Sequence, residues 1–148
     1  MKNILFFLLF ITLLFSACEK EEESPNPISN YTFSCNIDGI SFNDNSPDVI
    51  LENSTDILTI NSENGGNTIR IIIYNFSDRM VDQQILFNSL TDKAYVTVDG
   101  VNYTNTQSGQ IIFSKLDSKL SGTFNFTSQS SNFSIKSVTE GVFEDLSY

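Results

Sequence analysis

Apolar side chains in this chain recur at every second residue, the period of a half-buried β-strand. In Leu120–Ser128, Gly122, Phe124 and Phe126 share one face, and Thr123, Asn125 and Thr127 share the other. In Tyr31–Ile37 the odd positions are apolar and the even ones polar. Asp56–Asn61 places Leu58 and Ile60 together, and Thr68–Tyr74 alternates Ile69, Ile71 and Ile73 with Arg70, Ile72 and Tyr74. Both faces of that last segment are apolar, as expected of a central strand. Further strands are expected at Gln84–Asn88, Lys93–Val98, Val101–Thr104, Gly109–Leu116 and Asn132–Val138, with Gly141–Phe143 closing the chain. Asn64-Gly65-Gly66-Asn67 and Asp99-Gly100 supply the left-handed backbone that tight hairpins require, and Leu116–Lys119 forms another turn. No segment sustains a helical period; Val81–Leu86 has room for one turn. The fold expected is all-β: an antiparallel β-sandwich of eight to ten short strands, with a small β-barrel as the alternative closure.

The N-terminus has a different character. Lys2 precedes Ile4–Phe15, twelve residues that are apolar except for Thr12, and Ser16-Ala17 then lead directly into Cys18. The run is shorter than the roughly 17–25 residues that cross a bilayer. Its order of charge, short apolar core and small residues is that of an export signal. Leu14–Cys18 resembles the lipobox of bacterial lipoproteins, in which the cysteine thiol receives a diacylglyceryl group. Residues 1–17 are thus read as a lipoprotein signal peptide and Cys18 as the lipidation site. One acyl chain holds a protein only marginally, whereas two or three hold it stably. Glu19, Lys20, Glu21, Glu22 and Glu23 follow at once and resemble the acidic export signal that carries Bacteroidota lipoproteins to the cell surface. Residues 18–30, with Pro25 and Pro27, read as a tether, and 31–148 as one β domain. The expected location is the outer membrane, lipid-anchored, on the cell surface.

Charge narrows the partners. The whole chain carries −10. Cleavage before Cys18 removes Lys2 alone among the charged residues, leaving −11, of which the domain holds about −8. That balance argues against electrostatic binding of nucleic acid or anionic lipid. The partners expected are the membrane, through the lipid on Cys18, and an envelope protein or glycan whose identity the sequence leaves open.

Enzyme chemistry is disfavoured by composition. The chain has no histidine, which removes Ser/His/Asp and Cys/His nucleophile systems and histidine-ligated zinc. With Cys18 lipidated, Cys35 has no disulfide partner; on the Tyr31/Phe33/Ile37 face it reads as a small core residue. Asp44-Asn45-Ser46-Pro47-Asp48 and Asn75–Asp82 concentrate oxygen ligands, yet neither has EF-hand spacing, and turn chemistry accounts for them. Every Asp and Glu reads as a turn, loop or tether residue. There is no tryptophan to form a sugar platform, and Tyr31, Tyr74, Tyr95 and Tyr103 fall in or beside strands. No catalytic residue, metal or cofactor is expected.

Three stretches together resemble a family of small Bacteroidota lipoproteins with an all-β domain of unknown function. They are Phe33–Phe42, with its Asp38-Gly39 turn followed by an aromatic; Gly109–Asp117 running into Leu120-Ser121-Gly122-Thr123-Phe124-Asn125-Phe126; and Glu140–Asp145. This copy lacks a glycine expected in Val81–Ser89. The resemblance spans Tyr31–Tyr148 and implies fold and location, with no site residue. The function expected is a non-enzymatic, surface-displayed binding or accessory module. The alternatives are a structural envelope protein without a ligand and a hydrolase using carboxylates.

Overall fold

The alternation is realised in ten strands. The computed structural model describes residues 32–88 and 90–148. It contains β1 (Phe33–Ile37), β2 (Ile40–Asp44), β3 (Asp48–Glu52), β4 (Ile57–Asn64), β5 (Asn67–Tyr74), β6 (Gln84–Leu86), β7 (Lys93–Val98), β8 (Val101–Leu116), β9 (Lys119–Ser130) and β10 (Ile135–Ser147). All neighbours are antiparallel, in the order β2-β1-β10-β9-β8-β7-β5-β4-β3, with β6 beside β8. The all-β reading holds. The strands form one hydrogen-bonded sheet, strongly curled into a half-barrel, rather than two separate layers. The curl brings inner faces from both halves of the sheet onto one core.

Turn chemistry fixes the register. Asp38-Gly39, Gly65-Gly66 and Asp99-Gly100 all have positive φ at both positions, the backbone of the tight turns whose twist suits hairpins. Strand direction alternates along the sheet, so these three turns and the β9–β10 connection lie at one end, the hairpin end. The chain enters β1 from the opposite direction.

Three glycines explain the curl. Gly109 pairs with Phe126, Gly122 lies between Phe113 and Phe143, and Gly141 pairs with Phe124. Each glycine therefore faces phenylalanine across the strand. A Cβ on Gly122 would lie 2.7 Å from the Phe143 ring, and one on Gly141 2.6 Å from the Phe124 ring. At Gly122 and Gly141 a ring fills the space that a side chain would take, at Gly109 the Asn125 carbonyl and the Cα and Cβ of Phe126 do so, and the sheet bends over these contacts. Ring contacts then run from Phe42 through Phe33, Phe124 and Phe143 to Phe113, Phe76 and Tyr148.

Where the ladder opens, side chains replace it. Strand β8 pairs with β7 at Val101–Tyr103 and with β6 at Gln110–Ile112. Between these stretches the Thr106 hydroxyl accepts the Ala94 N–H at 3.2 Å and donates to the Ala94 carbonyl at 3.0 Å. Ser128 donates to the same carbonyl at 2.7 Å. No buried side-chain N or O among the described residues is left without a partner.

Several boundaries differ from expectation. β3 is not among the strands expected from the sequence, because Asp48 and Glu52 flank only three apolar residues. Asp48 and Glu52 also correct the reading that every acid lies in a turn, loop or tether; Glu63, Glu140, Glu144 and Asp145 are strand residues too. Ile135–Val138, from the expected strand Asn132–Val138, and Gly141–Phe143 belong to one strand, β10, whose register shifts between Val138 and Gly141 and between Phe143 and Leu146 hide its continuity, whereas Asn132–Ser134 lie in the β9–β10 connection. The short 3-10 turn lies at Phe76–Asp78 rather than within Val81–Leu86.

The Gly122→Ala variant is expected to lose about 2 kcal/mol through overpacking against Phe143 and the Ile112 carbonyl. Thermal unfolding should show a midpoint lower by roughly 10 °C. An unchanged midpoint would remove the glycine–phenylalanine account of the curl.

Candidate functional site

The hairpin end gathers the most distinctive surface. Inward-facing Ile37, Phe42 and Val98 meet Asn64, Asn67 and Lys136 at a cleft of about 230 Å³. This is below the roughly 300–1,000 Å³ of typical small-molecule pockets, so its size suits one side chain rather than a cofactor. Lys136 Nζ pairs with Asp38 Oδ2 at 2.7 Å, and the Ser137 N–H donates to Asp38 Oδ1 at 2.9 Å. Those two donors, Lys136 foremost, hold the Asp38 carboxyl below its usual range. The hydrogen bond to Asp38 raises the Lys136 ammonium in turn. Ile40, 74% exposed, stands on the rim.

The β9–β10 connection at the same end presents Phe133. Its backbone has φ +66°, and the residue is 79% exposed. A bulky residue in the left-handed region is strained. Here the surroundings impose it. The Phe133 N–H donates to the Ser130 carbonyl at 3.0 Å, and Gln129 Nε2 donates to the Phe133 carbonyl at 3.3 Å. Ser130 Oγ also bonds to Asn132 Oδ1 and to the Ser134 carbonyl, and Ser134 Oγ donates to Asn132 Oδ1 at 2.7 Å. The tip is thus pre-organised, and its ring does not pack in the core. Ile135, 56% exposed, follows it. Met80, Val81 and Leu90 form further exposed apolar positions, on the connections between β5 and β7.

Polar groups elsewhere are committed to the fold. Asp44 was considered as a calcium ligand. Its Oδ1 accepts the Ser46 N–H at 2.8 Å, and its Oδ2 accepts the Ser62 hydroxyl and the Glu63 N–H, both at 2.9 Å. The carboxylate joins the end of β2 to the upper edge of β4. In the second acidic stretch, the Ser77 N–H and hydroxyl donate to Asp56. Among the described residues no three acids or cysteines converge as a metal site. Asp92, which composition gave no reason to single out, is buried; Arg79 pairs with it at 2.9 Å, and the Tyr74 N–H donates to it at 2.9 Å. Cys35 is a free, buried thiol, pushed up to about 12 by burial, which makes it an inert core group. Tyr103 is buried as expected, whereas Tyr74 and Tyr95 are half-buried. Cys18 and Glu19, Lys20, Glu21, Glu22 and Glu23 lie outside the described residues.

Comparison with known proteins matches residues 29–147 to the family described as a domain of unknown function, DUF6252. The chain belongs to that family. The match covers the β domain and begins shortly before β1. No curated protein and no solved structure matches the chain. The DUF6252 assignment accords with the structural nature of the motifs: turn residues, facing glycines and core rings.

Two outcomes follow for this DUF6252 domain. Phe133→Gly should not lower the unfolding midpoint, since glycine tolerates the left-handed backbone, whereas Phe126→Ala should cost about 3–5 kcal/mol. A loss of similar size at Phe133 would show that the ring serves folding instead of display. Asp38→Asn should destabilise at neutral pH. Because the folded pKa of Asp38 is depressed, its contribution is present above the unfolded value of about 3.9 and lost as pH falls through the folded value. Denaturant curves for the two proteins should therefore converge below about pH 4.

Proposed function

We propose that this chain is a bacterial lipoprotein, anchored through a lipid on Cys18 to the outer membrane and displayed at the cell surface of a member of the Bacteroidota. Its DUF6252 domain acts as a non-enzymatic binding or accessory module. The observation that carries the binding reading is Phe133, an exposed aromatic held in a strained backbone by a hydrogen-bonded turn. Pre-organised aromatic anchors are what hot spots of protein interfaces use. The anchor reading rests on the sequence of Lys2, the apolar run, Ser16-Ala17 and Cys18, with Glu19–Glu23 behind it. The direction of chain entry supports display: β1 is entered from the end opposite the hairpin turns, so a membrane tether leaves those turns facing outward.

Asp38 and Asp145 fit a role other than general acid catalysis. A general acid at neutral pH needs a raised pKa. Asp38 and Asp145 instead move down, each through a lysine hydrogen bond. A structural envelope protein without a ligand is the second reading.

Cys18→Ala should block signal cleavage and abolish incorporation of labelled palmitate in the native host. Replacing Glu19, Glu21, Glu22 and Glu23 by Gln should keep the label but protect the domain from protease added to intact cells. Normal processing and membrane retention of Cys18→Ala would overturn the anchor. Protease accessibility that ignores the four glutamates would overturn their export role.

A further inference from the structure

The open edge of β3 carries the most specific recognition geometry in the molecule. Strands β4 and β5 are joined by a two-residue turn, so Asn64 and Asn67 form the hydrogen-bonded pair that flanks it. Even-numbered residues of β4 then direct their backbone groups to β5, and odd-numbered ones direct theirs the other way. Glu63 agrees with this parity, since its N–H reaches Asp44 at 2.9 Å. Strand β3 faces Asn61, Thr59 and Ile57 through Asp48, Ile50 and Glu52, which therefore make its ladder bonds. Val49 and Leu51 are left with N–H and C=O groups pointing away from β4. Strand β3 ends the sheet and pairs only with β4 among the described residues.

The side chains define the partner. Val49 and Leu51 pack against the core, while Asp48, Ile50 and Glu52 are exposed on the outer face. Two carboxylates thus flank one apolar residue, about 13 Å apart along the strand. A second copy paired antiparallel about Ile50 would set Asp48 opposite Glu52, a like-charge contact that disfavours self-association. A cationic strand reverses that sign.

We propose that the β3 edge docks an extended segment of a protein partner with the pattern basic–x–apolar–x–basic. The segment adds as an antiparallel strand. Its two intervening residues exchange backbone hydrogen bonds with Val49 and Leu51, its basic side chains lie across from Asp48 and Glu52, and its apolar one lies across from Ile50. This deepens the binding-module reading and is independent of the lipid.

The test uses the chain from Glu19 to Tyr148 and a fluorescent acetylated peptide, Thr-Lys-Thr-Val-Thr-Lys-Thr-amide. Binding should appear in anisotropy, weaken with salt, and shift the amide resonances of Val49 and Leu51. The Asp48→Lys/Glu52→Lys variant should bind at least roughly tenfold more weakly with an unchanged melting curve. A peptide methylated on the backbone nitrogens of the two threonines flanking valine should not bind. The inference is overturned by absence of binding at millimolar peptide, by equal binding of the methylated peptide, by resonance shifts confined to other strands, or by self-association through β3. It is also overturned if binding appears only after removal of residues 19–31, which would give the edge to the chain's own segment. Failure here leaves the Cys18 labelling result standing, and failure of that labelling leaves this one standing.

Discussion

The close approach of phenylalanine to glycine across β8, β9 and β10 is the constraint on which the rest of the fold depends. These are the longest strands, and long strands in a flat sheet would expose one apolar face over their whole length. Gly109, Gly122 and Gly141 remove three side chains from that face, and Phe126, Phe113, Phe143 and Phe124 occupy the space. Large beside small lets the inner surface curve without voids. The curl then brings Leu58, Ile60, Ile69, Ile71 and Ile73, from the other half of the sheet, onto the same core. Tight burial follows from curvature, and the curvature follows from pairing each glycine with a phenylalanine across the strand.

Closure depends on a different device. Strands β2 and β3 run in the same direction, separated only by residues 45–47, yet β2 pairs with β1 at one end of the sheet and β3 with β4 at the other. A single bent segment thus spans the two ends of the curled sheet. Beyond Asn61, where β3 no longer covers β4, the Asp44 carboxylate takes the Glu63 N–H and the Ser62 hydroxyl. Thr106 plays the corresponding part beside Ala94. In both places one side chain supplies bonds that a strand would otherwise have made, so the sheet can bend or part without stranding buried backbone groups. The cost is an open edge at β3.

Strand periodicity and turn residues made most of this legible. Leu120–Ser128 and Thr68–Tyr74 alternate cleanly because one face of each meets the core, and the Gly65-Gly66 and Asp99-Gly100 hairpins declare their own backbone. β3 was missed because three apolar residues between acids are too few to show a period. The continuity of β10 was hidden by its bulges, since each extra residue reverses the alternation. Whether the strands form two layers or one curled sheet depends on long-range pairing that periodicity does not encode. Phe133 carried no signal either: an aromatic within the expected strand Asn132–Val138 reads as core, and only its backbone angle and exposure set it apart. The proposed anchor is the converse case: it rests on the sequence of residues 1–23 alone, which lie outside the described residues.

The acidity of the domain has a largely structural origin, and that sharpens what remains. Among the described residues eight other than glycine adopt positive φ: Asp38, Asp56, Asn75, Asp82, Asp99, Phe133, Glu140 and Asp145. Asp and Asn tolerate that region because their short side chains can bond locally to the backbone. Asp38 and Asp56 also tie their turns to distant segments, accepting the Ser137 and Ser77 N–H groups. Asp38, Asp56, Asp82 and Asp99 are thus placed by turn geometry and Asp145 by a bulge in β10, and the net charge by itself says little about a ligand. Two features fall outside this account. Phe133 is the one apolar, bulky side chain among these eight left-handed positions, and Asp48 with Glu52 lies in a regular strand that needs no such backbone. Both are exposed, and neither is required by the core. They are therefore where recognition is to be sought.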